Sequence, residues 1–293
     1  MRARLVLLLA GVRERLVGRD LALIAAGLTF YAGIAVVPLL VLAFALTARL
    51  TSPSRVQALG HRLMQLLPPE LGAPAAVGRL IDAGIGLGLL HGVLTLLPMS
   101  FYGEGLRRAL LRFSPRREGL TGWRGRAAAV PLLLVSPALL YPLLLAASAM
   151  ARLSEMPGAG PLLGRIAIGF YAVLGALTVA LAWGFRVVGG GRVSWPALLA
   201  GALFTAACVS GFLQGFVLFL SLPLDLGAPF GGLTVVGGTV AVGLWMFLLH
   251  LVVLIGWLLT QSFDDLLQRR SDSPTGAPGG RRGAGPPGCS PPG

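Results

Sequence analysis

The sequence predicts an all-α protein that crosses a membrane, and three observations support that class. Hydrophobic residues make up 55% of the 293 residues, and charged residues only 12%, about half of the ~25% usual in soluble domains. The mean hydropathy is +0.81. The uncharged residues gather in six runs, each long enough for a helix to cross a hydrocarbon core of about 30 Å. Helices are required in such runs, because lipid offers no partner for unpaired backbone groups.

The six runs predict a bundle of six transmembrane helices over residues 1–270. The predicted spans cover about residues 21–48, 83–103, 127–151, 166–185, 194–222 and 237–261. In the longest run, Pro229 and the glycine pairs at 231–232 and 237–238 indicate a loop before the last helix. The tail, residues 271–293, is rich in glycine and proline, so we predict that it is disordered.

The arginines predict the orientation of the bundle. All 24 basic residues are arginine, and 18 of them lie in the two termini and in the loops after the second and fourth spans. Because cytoplasmic segments carry the excess of basic residues, both termini are predicted to be cytoplasmic. Five spans with a re-entrant second run fit this distribution less well. The net charge of +13 does not indicate a nucleic-acid partner here, because the arginines lie between apolar runs.

Two segments outside the spans are also predicted to be helical. Residues 2–19 carry an apolar stripe from Leu5 to Leu16 flanked by arginines, typical of an amphipathic helix lying on the inner leaflet. A cleaved signal peptide is the alternative, but no small-residue cleavage site follows. After the first span, Ser52 and Pro53 are a typical helix start. That helix and a second near residues 75–81 predict a short external hairpin, which either caps the bundle or rests on headgroups.

Polar residues at membrane depth are the candidates for a functional site. No charged residue lies in the middle of a predicted span, and the ionisable groups there are His91 and His250. If these two faced each other, they would form a proton-sensitive or substrate-binding pair. The plainer interpretation is two neutral imidazoles bonded to nearby carbonyls. Gln214 is a weaker polar candidate.

Rows of glycine predict where helices pack closely. Small residues four positions apart let two backbones approach each other in lipid. One row lies in the second span and another in the fifth: Gly84, Gly88, Gly92, Gly211 and Gly215.

Motifs of catalysis and metal binding are absent from the sequence. It contains no HExxH, paired-cysteine, GxSxG or phosphate-loop motif. We therefore predict no catalytic residues, no metal and no cofactor, and that the protein is not an enzyme. The expected partners are membrane lipids, with a lipid or amphiphile as a candidate substrate.

Three groups of residues resemble motifs of the YihY/BrkB family of bacterial inner-membrane proteins. They occur in the order and spacing of that family between about residues 10 and 265. The matching residues are Phe30, Tyr31, Pro38, Trp195, Gly201, Gly232, Trp245 and Gly256. The chain departs from the family at two places. Phe185 precedes Arg186 where the family often has tyrosine before that arginine, and Trp257 and Leu258 stand where a small residue and an acid often follow the last glycine.

The resemblance implies a six-helix bacterial inner-membrane protein. Some members of the family have been labelled a tRNA-processing ribonuclease, and others are linked to serum resistance or to lipid movement across the inner membrane. The sequence shows no acidic or histidine cluster for the ribonuclease chemistry. A translocator of a lipid or amphiphile is the leading hypothesis. A non-transporting envelope factor acting through the arginine-rich loop 104–126 or the tail is the alternative, and a membrane enzyme is the third.

Overall fold

The computed structural model describes residues 2–67, 72–114, 122–190, 193–220, 222 and 224–271. These residues form nine α-helices, and no strand occurs among them. The helices are α1 Arg2–Leu16, α2 Leu21–Leu50, α3 Pro53–Met64, α4 Ala73–Ile85, α5 Leu89–Arg112, α6 Gly122–Ser154, α7 Ala159–Trp183, α8 Trp195–Leu220 and α9 Thr234–Ser271. A π-helical turn, Gly184–Val188, continues α7, and a 3-10 turn, Ala228–Phe230, precedes α9. The all-α prediction is confirmed for the described residues.

The helices α2 and α5 run antiparallel along almost their whole length. Near one end, Tyr31 of α2 fills the space beside Gly105 of α5, where a Cβ would lie 2.7 Å from the tyrosine ring. Near the other end, Arg49 donates a hydrogen bond to the Leu87 carbonyl, at 3.0 Å, just before α5 begins. From the first contact to the second, the residue number rises on α2 and falls on the α5 side. The two helices therefore run antiparallel.

The last helix, α9, lies beside α5 in the same direction. Tyr102 of α5 contacts His250 of α9. About two turns further along both helices, the Leu110 carbonyl accepts a hydrogen bond from the Trp257 side chain. Both contacts advance together, so α5 and α9 are parallel and α9 is antiparallel to α2. The start of α2 and the end of α9 therefore lie at the same end of the bundle.

Contacts from α1 and the residues after it confirm that the start of α2 lies near the end of α9. Arg15 of α1 donates to Gln261 of α9 at 2.7 Å and pairs with Asp265 at 2.5 Å. Arg19, just after α1, lies with its guanidinium 5.5 Å from the Phe113 ring at the end of α5. We call this end of the molecule the arginine end.

Four helices in the described part of the chain are long and apolar enough to cross a membrane. They cover Leu21–Leu50, Ala159–Val188, Trp195–Phe219 and Thr234–Arg269. Each contains one of the predicted spans at 21–48, 166–185, 194–222 and 237–261, apart from a few residues at the ends of the third. In α6, the described side chains outline only a shorter apolar helix, Leu139–Ser154.

The predicted second span at 83–103 is wrong as a single helix. The chain leaves helical geometry between Ile85 and Leu89, where Gly86 ends α4 and Gly88 precedes α5. Two glycines within three residues lower the cost of this break. The bond from Arg49 to the Leu87 carbonyl satisfies one backbone group that the break exposes. The helix that lies along α2 is therefore α5, and α4 packs separately on the second half of α2.

The hairpin predicted after the first span is present as α3 and α4, which contact each other. Ser52 is the N-cap of α3, and its hydroxyl accepts from the Arg55 backbone at 3.2 Å. Val56 is completely buried in an apolar cluster with Phe44 of α2 and Ile81 of α4. The hairpin also contacts α6, so it is packed against the bundle and is not a free linker.

The helix α1 lies where an N-terminal helix is predicted, and it makes a contact that the sequence did not indicate; its placement on the inner leaflet stays a prediction. Val12 and Leu16 of the predicted stripe pack against the main apolar core. Leu9 of the same stripe remains 55% exposed, and the side chain of Leu5 lies outside the described residues. Among the described side chains of α1, those of its last turns pack against the bundle.

The last helix is longer than predicted, since α9 starts at Thr234 and ends at Ser271. The pair at 237–238 lies inside the helix and not in the loop before it. A Cβ on Gly237 would overlap the Leu226 backbone, so glycine here allows the preceding loop to fold onto the helix. At 1.5 Å per residue, α9 is about 57 Å long, so its last turns extend beyond a bilayer core. The predicted disordered tail falls, from residue 272 onward, outside the described residues.

Candidate functional site

The buried polar cluster of the bundle centres on His250 of α9, whose side chain is only 6% exposed. Its Nδ1 lies 2.7 Å from the Met246 carbonyl oxygen and 3.2 Å from the Thr29 hydroxyl. Because a carbonyl can only accept, Nδ1 carries the ring hydrogen, and Nε2 can accept from the Tyr102 hydroxyl at 3.3 Å. The ring thus contacts α2 and α5 besides its own helix, and its bond to the Met246 carbonyl is in line with the plainer interpretation of this residue.

His91 and His250 do not face each other, so the pair that would require this does not form. His91 is exposed and lies in the first turn of α5. It precedes Tyr102, the residue on α5 that contacts His250, by eleven positions. At 1.5 Å per residue this is about 16 Å along the helix. The position facing His250 is filled by a tyrosine hydroxyl, which no histidine pattern in the sequence could indicate.

Gln214 lies in a different interface and does not join the His250 cluster. Its Nε2 faces Gly169 of α7, where a Cβ would be 3.1 Å away, and Met150 of α6 lies at the same glycine. Gln214 is half-buried. It therefore marks the packing of α8 on α7 and α6.

An apolar groove runs between α7 and α8 and ends at the arginine end of the molecule. Its volume is about 380 Å³, within the ~300–1,000 Å³ usual for sites that hold small molecules. Val179 and Leu199 on its two walls are 50% and 51% exposed, so the groove opens sideways. Its lining comprises Thr178, Val179, Ala182, Trp183, Arg186, Val187, Trp195 and Leu199. We call this the α7–α8 groove.

Arg186 is the charged residue that lines the groove. It sits in the π-helical turn at the end of α7, and its guanidinium carbon lies 4.8 Å from the centre of the Trp195 ring. Its Nη1 donates to the Val193 carbonyl at 2.9 Å. Through these two contacts Arg186 reaches from the π-turn, a feature frequent at functional sites, to the start of α8.

Asp264 of α9 fixes the same corner from the other side. This carboxylate is only 6% exposed and accepts from the Ser194 backbone at 3.0 Å and from Gln268 at 2.8 Å. Val193 and Ser194 are thus held by an arginine of α7 and an acid of α9. The start of α8, and with it the Trp195 wall of the groove, is pinned by two charged groups that no motif in the sequence connects.

The glycine row predicted in the second span does not form one packing face. Gly84 does make a close contact, since a Cβ there would lie 2.7 Å from the Phe44 Cβ and 2.9 Å from the Val41 carbonyl. Gly88 and Gly92 follow the break in the helix and meet only His91 and Leu87 of their own segment. The prediction holds for Gly84 and is wrong for the other two, because the row requires a continuous helix.

The second predicted row is also weaker than expected. A Cβ on Gly211 would meet nothing within 4 Å, and one on Gly215 would meet the Trp245 ring at 3.7 Å, an ordinary contact. Trp245 itself packs against Phe212 and Phe216 of α8, with ring centres 4.3 and 4.9 Å apart. At this level the two helices are joined by aromatic side chains.

The closest approach of α8 and α9 lies nearer the arginine end, at two residues of the family motifs. A Cβ on Gly201 would lie 2.7 Å from the Thr260 Cβ, and one on Gly256 would lie 2.8 Å from the Thr205 Cβ. Each threonine hydroxyl donates to the glycine carbonyl four residues earlier in its own helix, at 2.7 Å. The two helices therefore carry the same Gly-x-x-x-Thr sequence and pack reciprocally, threonine onto glycine.

The other residues of the family motifs lie on the surface of α2, inside α2, and in the loop before α9. Phe30 is 67% exposed on the surface of α2, and Tyr31 packs on Gly105. Pro38 lies inside α2, which continues past it. Gly232 has a φ of 84°, a left-handed conformation that favours glycine, in the loop before α9.

Trp257 occupies a position where the family often has a small residue, and it is the largest fully buried side chain among the described residues. Its ring packs on Phe185, with centres 5.2 Å apart, and its Nε1 donates to the Leu110 carbonyl at 3.0 Å. A Cβ on Gly189 would lie 2.9 Å from this ring. Trp257 thus joins α9 to α5 and to the turn after α7. Leu258 is also completely buried.

No group of three or more potential metal ligands occurs among the residues that the structure describes. The polar features of the described residues include the His250 cluster, the corner formed by Arg186 and Asp264, and the contacts at the arginine end.

Together these features define a class: a polytopic helical membrane protein whose buried polar groups join its helices. The family comparison then gives its family. The protein-family model described as "Virulence factor BrkB" matches residues 12–278, so the chain belongs to the BrkB virulence factor family. The resemblance seen in the sequence is confirmed. No curated protein and no solved structure matches the chain.

Proposed function

We propose that this protein is a bacterial inner-membrane translocator of a lipid or similar amphiphile, with six spans and both termini in the cytoplasm. The observation that carries the proposal is the α7–α8 groove, which has apolar walls and a charged end. An acyl chain matches the walls formed by Val179 and Leu199. A headgroup with a negative charge matches Arg186, since guanidinium groups bind phosphate and carboxylate oxygens.

The position of the groove supports this proposal. Arg186 lies in the corner that Asp264 also holds, close to the end of α9 and therefore at the arginine end. Basic residues collect at the cytoplasmic side of inner-membrane proteins. An amphiphile entering from the inner leaflet would place its headgroup at that level and its chain between α7 and α8.

A reconstitution assay tests the proposed activity. Vesicles containing the purified protein are expected to move a fluorescently labelled phospholipid between leaflets faster than empty vesicles, as measured by quenching of the outer-leaflet label. Leu199→Trp, which fills the groove, should slow this movement by about ten-fold, the change given by roughly 1.4 kcal/mol of lost binding.

The matched control is Leu203→Trp. Leu203 lies one turn further along α8 and is equally exposed, at 50%, but does not line the groove. This variant should keep the parent rate. No acceleration over empty vesicles across several headgroups would reject the translocator and favour the non-transporting envelope factor. Equal slowing by both variants would show that lipid movement does not depend on the α7–α8 groove.

The proposed orientation has its own test. Reporter proteins fused to either terminus are expected to indicate a cytoplasmic location, because the start of α2 and the end of α9 lie at the same end of the bundle. A reporter near Gln57, in α3, should report an external location. A terminal reporter found outside would reverse the orientation, and two termini on opposite sides would reject six spans.

A further inference from the structure

We propose that a pocket between α1 and α9 at the arginine end binds a phosphate group. The pocket has a volume of about 470 Å³. Gly11 and Ser262 form the place where the two helices touch, since a Cβ on Gly11 would lie 3.1 Å from the Ser262 hydroxyl. The inference concerns binding alone, and it does not rest on the proposed translocation.

Two buried polar atoms in this pocket have no hydrogen-bond partner within the described residues. They are Nη1 of Arg19 and Oγ of Ser262. An arginine nitrogen can only donate, so Arg19 requires an acceptor. The neighbouring acid, Asp20, caps α2 by accepting from the Leu23 backbone at 2.9 Å, and Nη1 of Arg19 makes no hydrogen bond to it. The serine hydroxyl can donate as well, so both atoms can bond to an acceptor.

Arg19 is also held in place by its surroundings. Its guanidinium lies 5.5 Å from the centre of the Phe113 ring, at the end of α5. Stacking on an aromatic ring leaves the edge of a guanidinium group available for in-plane hydrogen bonds. The fork of donors is therefore oriented before any ligand arrives, which reduces the entropy lost on binding.

The charges that line the pocket favour an anion. Three arginines and two carboxylates line it. Arg15 and Asp265 neutralise each other in a direct pair at 2.5 Å. The lining as a whole therefore has a formal charge of +1, and phosphate oxygens match both the charge and the geometry of arginine.

The pocket lies next to an apolar surface, which points to a lipid headgroup as one source of the phosphate. Val6, Leu7 and Leu9 of α1 are 63%, 52% and 55% exposed, and Leu7 lines the pocket. Such a surface fits into the boundary between headgroups and acyl chains. A soluble phosphate shares the same chemistry, so the experiment includes both sources.

Equilibrium binding to the full-length protein in a neutral detergent tests the proposal. The probes are dioctanoyl phosphatidic acid, inorganic phosphate, and dioctanoylglycerol, which has the same chains without phosphate. We expect phosphatidic acid to bind and dioctanoylglycerol not to bind. Arg19→Gln should weaken the binding by roughly ten-fold and Ser262→Ala by roughly three-fold. The control is Arg13→Gln, which changes an exposed arginine of α1 outside this pocket and should leave the binding unchanged.

The inorganic phosphate arm identifies the source. If it binds and shows the same dependence on Arg19 and Ser262, the phosphate group alone is the ligand. If only phosphatidic acid binds with that dependence, the ligand is a lipid headgroup. Failure of both probes, or binding that both pocket variants leave unchanged, would overturn the proposal. Size-exclusion profiles check folding, and if Arg19→Gln does not fold, Ser262→Ala decides the result.

Discussion

Replacing Gly201 with alanine is expected to destabilise the folded bundle, whereas the same change at Gly211 in the same helix is not. A Cβ at position 201 would lie 2.7 Å from the Thr260 Cβ, and one at position 211 would meet nothing within 4 Å. Overpacking of this kind typically costs about 1–3 kcal/mol. Both changes replace glycine by a better helix former, so any gain in helix propensity is shared.

The measurement is the temperature at which each purified variant loses its monodisperse peak in detergent. Gly201→Ala should fall clearly below the parent protein, and Gly211→Ala should equal or exceed it. Adding Thr260→Ala to Gly201→Ala should recover part of the loss, because it removes the hydroxyl and methyl groups that the new Cβ meets. Equal melting temperatures for Gly201→Ala and Gly211→Ala would show that the reciprocal contact of α8 and α9 is not tight.

The sequence predicts the long helices well, because a bilayer allows few alternatives. The helix α2 begins at Leu21 as predicted and ends at Leu50, two residues beyond the predicted span. Charges and prolines mark such ends within the sequence itself. The break at Gly86–Gly88 escapes a prediction based on uncharged length alone, because the run there is long enough for one helix. Its paired glycines were nevertheless a signal of interruption.

The predicted packing glycines failed where the partner helix mattered more than the spacing. Two glycines four residues apart, such as Gly211 and Gly215, give a helix a surface without side chains. They do not show that another helix packs against that surface. The tight contact uses Gly201 and Gly256, each followed by threonine four residues later. That shared pattern is visible in the sequence, but the register that brings the two copies together depends on the whole length of α8 and α9.

The polar site shows the same limit. The sequence identifies His250 as a candidate because intramembrane histidines are costly. Its contacts with Tyr102 and Thr29 could not be predicted, since they depend on the parallel direction of α5 and α9 and the antiparallel direction of α2. Similarly, Arg186 and Asp264 are 78 residues apart in the sequence and are related only through the backbone between Val193 and Ser194.

Replacing Trp257 with alanine is expected to cause a larger loss of stability than Gly201→Ala. The side chain is 1% exposed and joins α9 to two other parts of the bundle, α5 and the turn after α7. Truncating such a residue typically costs about 3–5 kcal/mol, because contacts are lost and a cavity remains. Tyr171→Ala is the control, since Tyr171 on α7 is 68% exposed and its loss should leave the melting temperature nearly unchanged.

Trp257→Phe separates packing from hydrogen bonding at the same position. The Leu110 carbonyl also accepts from the Phe113 backbone at 3.2 Å, so it keeps one partner when the indole is removed. The loss should then be smaller, about 0.5–1.5 kcal/mol for the hydrogen bond and a further amount for the smaller ring. A Trp257→Ala protein that melts with the parent would show that α9 is not held to α5 at this point. A Trp257→Phe protein as unstable as Trp257→Ala would instead assign most of the stabilisation to the indole N–H, since phenylalanine retains most of the apolar contact with Phe185.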